Sequence, residues 1–190
     1  MYQIYKEVEI ETIKREFQNG QIDVIFCAIN EWNLPLLKEP KSSCYDVGVI
    51  QDVLVDRTMK VSLDVKWTAL GSYALELKTR SSTFDKTGLI LANGTGQIDC
   101  SYNSTILANV IPLNYLLGQL STPSKLIAST EDNRIDYFQV KITHSLTHNS
   151  YQHNKNQLNI VGIVNKDIYE NFGNHFISER TGGFGSTDKK

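Results

Sequence analysis

Beyond its first twenty residues, the chain is a succession of short apolar or alternating segments that turn-forming residues end at short intervals. In the clearest segment, Tyr73, Leu75 and Leu77 alternate with small or charged neighbours, which places one set of side chains on the inner face of a strand. Many short strands with such punctuation predict an all-β sandwich or barrel. We assign strands to 23–29, 45–50, 60–65, 73–78, 88–91, 106–111, 125–128, 135–142 and 158–164.

Three segments depart from this strand pattern. Residues 9–19 carry Ile10, Ile13 and Phe17 at helical spacing with Gly20 as a stop, which predicts a short amphipathic helix. Residues 143–159 are polar and nearly devoid of apolar side chains, which predicts an exposed, mobile insertion. Residues 167–176 predict a helical turn or an arm. We expect four parts: an N-terminal helical extension (1–21), a β-domain (22–142), a polar insertion with an arm (143–178) and a glycine-rich lid motif (179–190).

Charge and composition restrict the possible partners. The net charge of −2 and a pI near 6.1 argue against a basic surface for nucleic acid, whereas a nucleoside triphosphate needs only a few local cations or a metal. No apolar run approaches the roughly 18 residues that span a bilayer, and no secretory signal pattern opens the chain. Cys27, Cys44 and Cys100 are far apart and odd in number, which predicts reduced thiols in the cytoplasm, or in the nucleus if the protein is eukaryotic or viral.

The segment 179–190 is unusually rich in glycine around a single aromatic side chain. Phe184 is followed by Gly185, Ser186 and Thr187, and Arg180 precedes it. Glycine-rich backbone can turn its N–H groups toward an anion, arginine can bind phosphate oxygens in pairs, and an aromatic face can stack on a ring. This chemistry is typical of a lid over a nucleotide. A disordered glycine-rich terminus is the alternative.

Residues 89–102 hold the densest set of candidate functional side chains. An apolar strand enters a Gly94-x-Gly96 turn, and Asp99 and Tyr102 follow on the return. We expect a β-hairpin whose tip leaves backbone donors and acceptors free to pair with a pyrimidine edge. Asp99 would lie at the mouth of that pocket as a general base or metal partner, and Tyr102 would stack below. A plain structural hairpin remains the alternative.

Two further segments are weaker signals. Arg80, followed by Ser81 and Ser82 at a predicted strand end, is a reasonable phosphate contact. Asp46 opens a strand and could hold a magnesium-bound water, or it could cap local N–H groups. Residues 132–135 form a polar turn into an apolar strand, which by itself indicates only a hairpin turn.

In this order, these segments resemble the five motifs of the homotrimeric dUTPases, which hydrolyse dUTP to dUMP and pyrophosphate. The third motif, Asn-Gly-x-Gly-x-Ile-Asp-x-x-Tyr, is matched residue for residue at 93–102, and the fifth by Arg180 with 182–187. The first is matched at 44–47, the second at 80–82 and the fourth only in part at 133–135. The chain departs from the family at Cys44, Asn103-Ser104, Tyr137 and Asp188, and has one residue fewer between Arg180 and Phe184.

The resemblance implies a mainly β, jelly-roll-like barrel with a short N-terminal helix and a C-terminal arm, working as a homotrimer on dUTP with Mg²⁺. Asp99 would be the general base for water attack on the α-phosphorus, and Asp46 would hold the hydration shell of magnesium. The implied substrate contacts are Arg80, Ser81 and Ser82 on the phosphates of a neighbouring chain's substrate; Asn93, Gly96 and Ile98 on uracil; Tyr102 under the deoxyribose; Phe184 over uracil; and Arg180, Gly185, Ser186 and Thr187 at the outer phosphates.

Three alternatives remain open. A dUTPase-fold protein could act mainly as a protein-binding regulator, with 143–159 docking the partner. A dCTP deaminase-type relative would share the Arg-Ser-Ser segment, but would use a glutamate for deamination and lack the Gly-Phe-Gly-Ser-Thr tail. A purely structural β-sandwich leaves the ordered motifs unexplained.

Overall fold

The computed structural model describes residues 2–38, 42–71, 73–119, 122–144 and 158–176. Strands dominate these residues, which confirms the prediction of a mainly β chain. The strands are β1 (Tyr2–Tyr5), β2 (Val24–Ala28), β3 (Tyr45–Gly48), β4 (Val53–Val55), β5 (Met59–Ser62), β6 (Val65–Ala69), β7 (Tyr73–Thr79), β8 (Leu89–Leu91), β9 (Gly96–Asp99), β10 (Leu107–Pro112), β11 (Ser124–Leu126), β12 (Asp136–His144) and β13 (Ile160–Val164). The helices are α1 (Ile10–Gln18), α2 (Ser81–Thr87), α3 (Leu113–Leu116), α4 (Lys166–Glu170) and α5 (Phe172–Phe176), with a 3-10 turn at Glu31–Asn33.

Within the described residues, the strands form four sheets and no single closed barrel. Two sheets have four strands each, in the orders β1-β13-β2-β6 and β3-β12-β7-β9. A three-stranded sheet, β5-β10-β8, and a two-stranded ribbon, β11-β4, complete the set. The main core lies between the sheets and includes Phe26 and Trp67, which face each other in register on β2 and β6, together with Leu75 and Phe138.

Strand β7 shows why the alternating pattern was informative. Tyr73, Leu75 and Leu77 are buried, whereas the residues between them are half-buried, as the period of two requires. Strand β2 differs, because it is buried along its whole length. Its two faces contribute to different cores, and so its sequence is an apolar run without alternation.

A second core lies on the outer face of the β1-β13-β2-β6 sheet. There Ile13 and Phe17 of α1 pack with Phe172 of α5 and with Ile25 and Cys27 of β2. The helix predicted at 9–19 therefore exists as α1, and the segment predicted at 167–176 forms two short helices. The boundaries at 21 and 142 stay a prediction, but β1 and β13 share one sheet with β2, so both flanking segments are joined to the β-domain by backbone hydrogen bonds.

Several elements were missed from the sequence. The strand expected at 60–65 is two strands, β5 and β6, separated by Asp64 in a left-handed conformation with φ 46°. Strands β1 and β4 and helices α2 and α3 were not predicted, because three to seven residues are too few to show a period. No helix in the described ranges has the length and apolar character needed to cross a membrane.

Candidate functional site

Two of the predicted site residues, Asp46 and Arg80, lie in direct contact. Asp46 is on β3, and the Arg80 Nε lies 3.2 Å from its Oδ1. The main-chain N–H of Arg80 donates to the Tyr137 carbonyl at 3.0 Å, and its Nη1 donates to the Asp136 carbonyl at 3.3 Å. Arg80 is therefore fixed to β12 by its backbone and side chain before any ligand arrives.

Two more cations complete this arrangement. The Lys38 Nζ lies 2.7 Å from Asp136 Oδ2 and 3.5 Å from Asp46 Oδ2. The Arg134 Nε lies 3.0 Å from Asp136 Oδ1, and its Nη2 donates to the carbonyls of Leu34 and Asp46 at 2.9 and 2.8 Å. Two buried carboxylates thus face three cations, which leaves one positive charge in excess. We call these residues the cationic cluster: Lys38, Asp46, Arg80, Arg134 and Asp136.

Close backbone packing brings the two carboxylates together. Gly48 lies against the Ile135 carbonyl and the Ser129 hydroxyl so tightly that a Cβ would overlap both. The Ser129 Oγ donates to the Ile135 carbonyl at 2.7 Å and accepts from the Ile135 N–H at 3.0 Å. Because only glycine fits there, β3 approaches the beginning of β12 closely, and Asp46 lies near Asp136.

The two predicted serines begin a helix rather than end a strand. Helix α2 begins at Ser81, immediately after Arg80, and Thr83 is anchored through its hydroxyl to the Tyr137 carbonyl. Ser81 is exposed and Ser82 is half-buried. Both residues therefore lie next to the cationic cluster in the chain, while their phosphate contacts remain a prediction.

The glycine turn after β8 corrects the predicted hairpin. Strand β8 pairs with β10, whereas β9 pairs with β7, so the turn passes the chain from one sheet to another. Gly94 has a φ of 68° and its N–H donates to the Leu91 carbonyl at 3.0 Å. A Cβ on Gly96 would lie 3.2 Å from Leu77 Cβ and 3.9 Å from the Asn93 amide nitrogen, so Asn93 lies close to Gly96, while their contacts to uracil stay a prediction.

The residues that follow this turn are more exposed than those of the cationic cluster. Asp99 is exposed at the end of β9, while Ile98 is half-buried against the main core. Tyr102 is half-buried, and its N–H donates to the Asp99 carbonyl at 3.0 Å. Burial raises the pKa of the adjacent Cys100 thiol, which favours its protonated form. We call residues 93–103 the turn segment.

Helix α5 supports the turn segment from the same chain. A Cβ on Gly173 would lie 2.8 Å from the Asn103 Nδ2 and 3.2 Å from its Cβ, so α5 lies directly against Asn103. On the opposite side of the turn segment, the Thr68 hydroxyl donates to the Cys100 carbonyl at 3.0 Å. Asn103, a departure from the dUTPase pattern, thus has a packing partner in this chain.

One protomer does not bring all the predicted residues together. In the register of the sheet, Asp46 of the edge strand β3 lies level with Lys78 of β7. Asp99 of the other edge strand, β9, pairs with Ala74 of β7. Three strand spacings and four residues of rise separate Asp46 from Asp99 by about 20 Å. The predicted Arg180, Phe184, Gly185, Ser186 and Thr187 lie outside the described residues, as does most of the 143–159 insertion.

Two residues of the cationic cluster, Lys38 and Asp136, were not singled out from the sequence. Asp136 had a detectable signal, because Arg134 and Asp136 are two apart at the beginning of a strand and share one face. Lys38 had none. It lies beside the cluster because Leu36 forms an isolated bridge to Asp46, a contact that no local pattern predicts.

Asp46, the predicted magnesium partner, is not part of a ready-made set of metal ligands in the described residues. In the part of the chain that the structure describes, no three His, Cys, Asp or Glu side chains come together as metal ligands. The Asp46 Oδ2 has only a long contact to Lys38, at 3.5 Å, and can accept a hydrogen bond from a metal-bound water.

Comparison with solved structures identifies the fold. The Streptococcus mutans dUTPase superposes with a TM-score of 0.54 at 23% identity, over 65% of this chain and 94% of that enzyme. The chain has the dUTPase fold. A point mutant of the dUTPase of Staphylococcus aureus phage φ11 gives 0.50 at 18% identity, and the dUTPase of Staphylococcus bacteriophage 80alpha gives 0.52 at 15%. Both comparisons cover 70% of this chain and 97% of the phage enzyme. Neither a protein-family profile nor a curated protein sequence matches the chain.

Proposed function

We propose that this chain is a dUTP pyrophosphatase that hydrolyses dUTP to dUMP and pyrophosphate. The observation that carries the proposal is the complete Asn-Gly-x-Gly-x-Ile-Asp-x-x-Tyr sequence at 93–102, lying on an exposed turn of a chain with the dUTPase fold. The exposed Asp99 is accessible to a substrate, and the cationic cluster offers excess positive charge for phosphates.

In this proposal, Asp99 orients a water molecule and takes its proton as the water oxygen attacks the α-phosphorus. The bond from the α-phosphorus to the bridging oxygen breaks, and pyrophosphate leaves. Phosphoryl transfer depends mainly on positioning and charge stabilisation, which Arg80 with Ser81 and Ser82 would supply. Magnesium bound to the triphosphate would neutralise part of its charge, and Asp46 would hold the water shell of the ion. A structural Mg(II) ion described for the φ11 enzyme supports this choice of metal.

The remaining site residues would set specificity. The Asn93 amide and the backbone of Gly96 and Ile98 would pair with uracil, and Tyr102 would pack under the deoxyribose. A tight turn here would clash with the methyl group of thymine. Phe184 would stack on the base, while Arg180, Gly185, Ser186 and Thr187 would close over the outer phosphates and exclude water.

The proposal requires more than one copy of the chain. Asp99 pairs with Ala74 of β7, and Arg80 lies six residues further along the chain, about 20 Å away, so a complete site needs the cationic cluster of a neighbouring copy. We infer a homotrimer that acts on dUTP in the cytoplasm, or in the nucleus if the protein is eukaryotic or viral. Sedimentation or light scattering of the purified chain tests the trimer directly.

The decisive experiment measures dUMP and pyrophosphate release from dUTP with magnesium, comparing wild type, Asp99→Asn and the exposed control Asp56→Asn, with dTTP, dCTP and UTP as competing substrates. We expect turnover of dUTP alone, a loss of about 10²-fold or more in Asp99→Asn, and no change in Asp56→Asn. A folded wild type without dUTP turnover would refute the proposal. Formation of dUTP or dUMP from dCTP would indicate the deaminase-type relative.

A regulatory role is the second candidate. About 30% of this chain lies outside the match to the 80alpha dUTPase, which is described as a phage enzyme that controls transfer of virulence genes by a G protein-like mechanism. We infer that residues 143–159 would dock a protein partner. Deletion of this segment, with dUTP turnover retained and partner binding lost, would establish the role.

A further inference from the structure

The cationic cluster presents its cations to solvent and hides its carboxylates. The side chains of Lys38 and Arg80 are 40% and 28% exposed, whereas those of Asp46 and Asp136 are 12% and 0% exposed. An arriving anion therefore meets ammonium and guanidinium groups before any carboxylate. Lys38 is the most exposed of the three cations.

The backbone fixes Lys38 at this position. Leu36 pairs with Asp46 through two hydrogen bonds, with the Leu36 N–H donating at 2.9 Å and the Asp46 N–H at 2.8 Å. Lys38 follows two residues later, and in extended chain a spacing of two returns the side chain to the same face. The Lys38 side chain is thus held beside Asp46 of β3 and Asp136 of β12.

Charge balance leaves the cluster with one positive charge in excess, and Lys38 is the cation most exposed to an arriving ligand. Asp136 is already neutralised by Arg134, whose Nε contacts both carboxylate oxygens at 3.0 and 3.2 Å. Asp46 is neutralised by Arg80 through its Oδ1. Lys38 contacts both acids, Asp136 at 2.7 Å and Asp46 at 3.5 Å, as a third cation beside two carboxylates that each already pair with an arginine. A third cation in a cluster that two already balance is suited to an anionic ligand.

We propose that Lys38 is a further phosphate-binding residue of the site and that its ammonium contacts the triphosphate beside Arg80. The assignment rests on the proposed function, because it takes the triphosphate of dUTP as the natural ligand. It adds a residue from outside the dUTPase-like motifs. The competing role for Lys38 is a structural clamp on Asp46 and Asp136.

The test is binding of inorganic triphosphate to the whole chain by calorimetry, without hydrolysis of dUTP. The variants are Lys38→Met, Lys38→Arg and the control Lys125→Met, an exposed lysine that pairs with Asp52 at 2.7 Å. We expect about tenfold weaker binding in Lys38→Met, about twofold or less in Lys38→Arg and no change in Lys125→Met, because only Lys38 of these two lysines makes a charge-assisted contact to the ligand. Binding of dUMP should be unaffected, since it lacks the outer phosphates.

Urea unfolding of the same proteins separates the two roles. A lower unfolding midpoint in Lys38→Met with unchanged triphosphate affinity would establish the structural clamp and overturn the proposal. Undetectable triphosphate binding by the wild type would overturn it as well. Lys38-dependent binding in a chain that leaves dUTP intact would support Lys38 and refute only the proposed hydrolysis.

Discussion

The cationic cluster and the turn segment lie at opposite edges of the β3-β12-β7-β9 sheet, and different forces hold them in place. The cluster is a closed set of ion pairs around two buried carboxylates on β3 and β12. The turn segment is mostly exposed, and its shape follows from backbone contacts at Gly96 and from the packing of Asn103 on α5. We therefore expect a substitution in the cluster to change both stability and phosphate binding, and one in the turn segment to change the proposed catalysis with little effect on stability.

The largest expected difference in stability between the cationic cluster and the turn segment is at their two aspartates, Asp136 and Asp99. We expect Asp136→Asn to lower the free energy of unfolding by about 3–5 kcal/mol, because it leaves Lys38 and Arg134 facing a neutral amide in a buried site. Asp99→Asn should change it by about 0.5 kcal/mol or less, since Asp99 is exposed. Urea unfolding followed by circular dichroism measures both. Equal losses of unfolding free energy in the two variants would contradict the proposed difference between the cationic cluster and the turn segment.

Two glycines give a second contrast. Gly48→Ala should cost about 3 kcal/mol, because its methyl group would overlap the Ile135 carbonyl, a backbone atom that relaxes less easily than the end of a side chain. Gly96→Ala meets only Leu77 at 3.2 Å, so we expect a cost of about 1 kcal/mol or less. Gly96→Ala should instead weaken binding of a dUTP analogue. Retained binding in Gly96→Ala would show that Gly96 makes no close approach to the base.

The sequence predicted the strands better than the site, for a physical reason. The alternation of Tyr73, Leu75 and Leu77 within a few residues indicates which face of the strand is buried, so β7 could be predicted from it. The Leu36–Asp46 bridge that positions Lys38 is non-local, and no short window of sequence shows it. The glycine turn was recognised correctly, but which strand β9 would pair with depends on β7, almost twenty residues earlier.

Lowering the pH tests the support of the turn segment by α5. Burial, followed by the charge of Lys14, lowers the pKa of His175 below its ordinary 6.5, while Glu11 acts in the opposite direction. The unfolded chain therefore binds a proton at His175 more readily than the folded chain does. The stability that neutral His175 contributes is fully present above pH 6.5 and is lost as the pH falls below this value. We expect a modest fall in Tm between about pH 7 and 5.5 that His175→Gln flattens. An equal fall in His175→Gln would assign the loss to other groups.

The smallest expected effect is at the contact between α5 and the turn. Gly173→Ala gains about 1 kcal/mol of helix propensity, but its methyl group would press on the flexible end of Asn103, so the net change should stay within about 1 kcal/mol. The kcat for dUTP should fall about twofold to fivefold, because a displaced Asn103 shifts Asp99 and a misplacement of about 1 Å can cost far more. Adding Asn103→Ala to Gly173→Ala should restore the kcat. A double variant whose kcat is no higher than that of Gly173→Ala would exclude a coupling between Gly173 and Asn103.

The position of β13 has a consequence for how the chain is made. Residues 160–164 insert between β1 and β2, so Tyr2 pairs with Ile160 and Val24 pairs with the same residue from the other side. Until the ribosome has released this segment, β1 has no neighbour in its sheet and one edge of β2 is open. A nascent chain that ends before residue 160 exposes a strand edge of the kind that pairs with other chains. Synthesis from first to last residue thus leaves this edge open to association with other chains until β13 has been made.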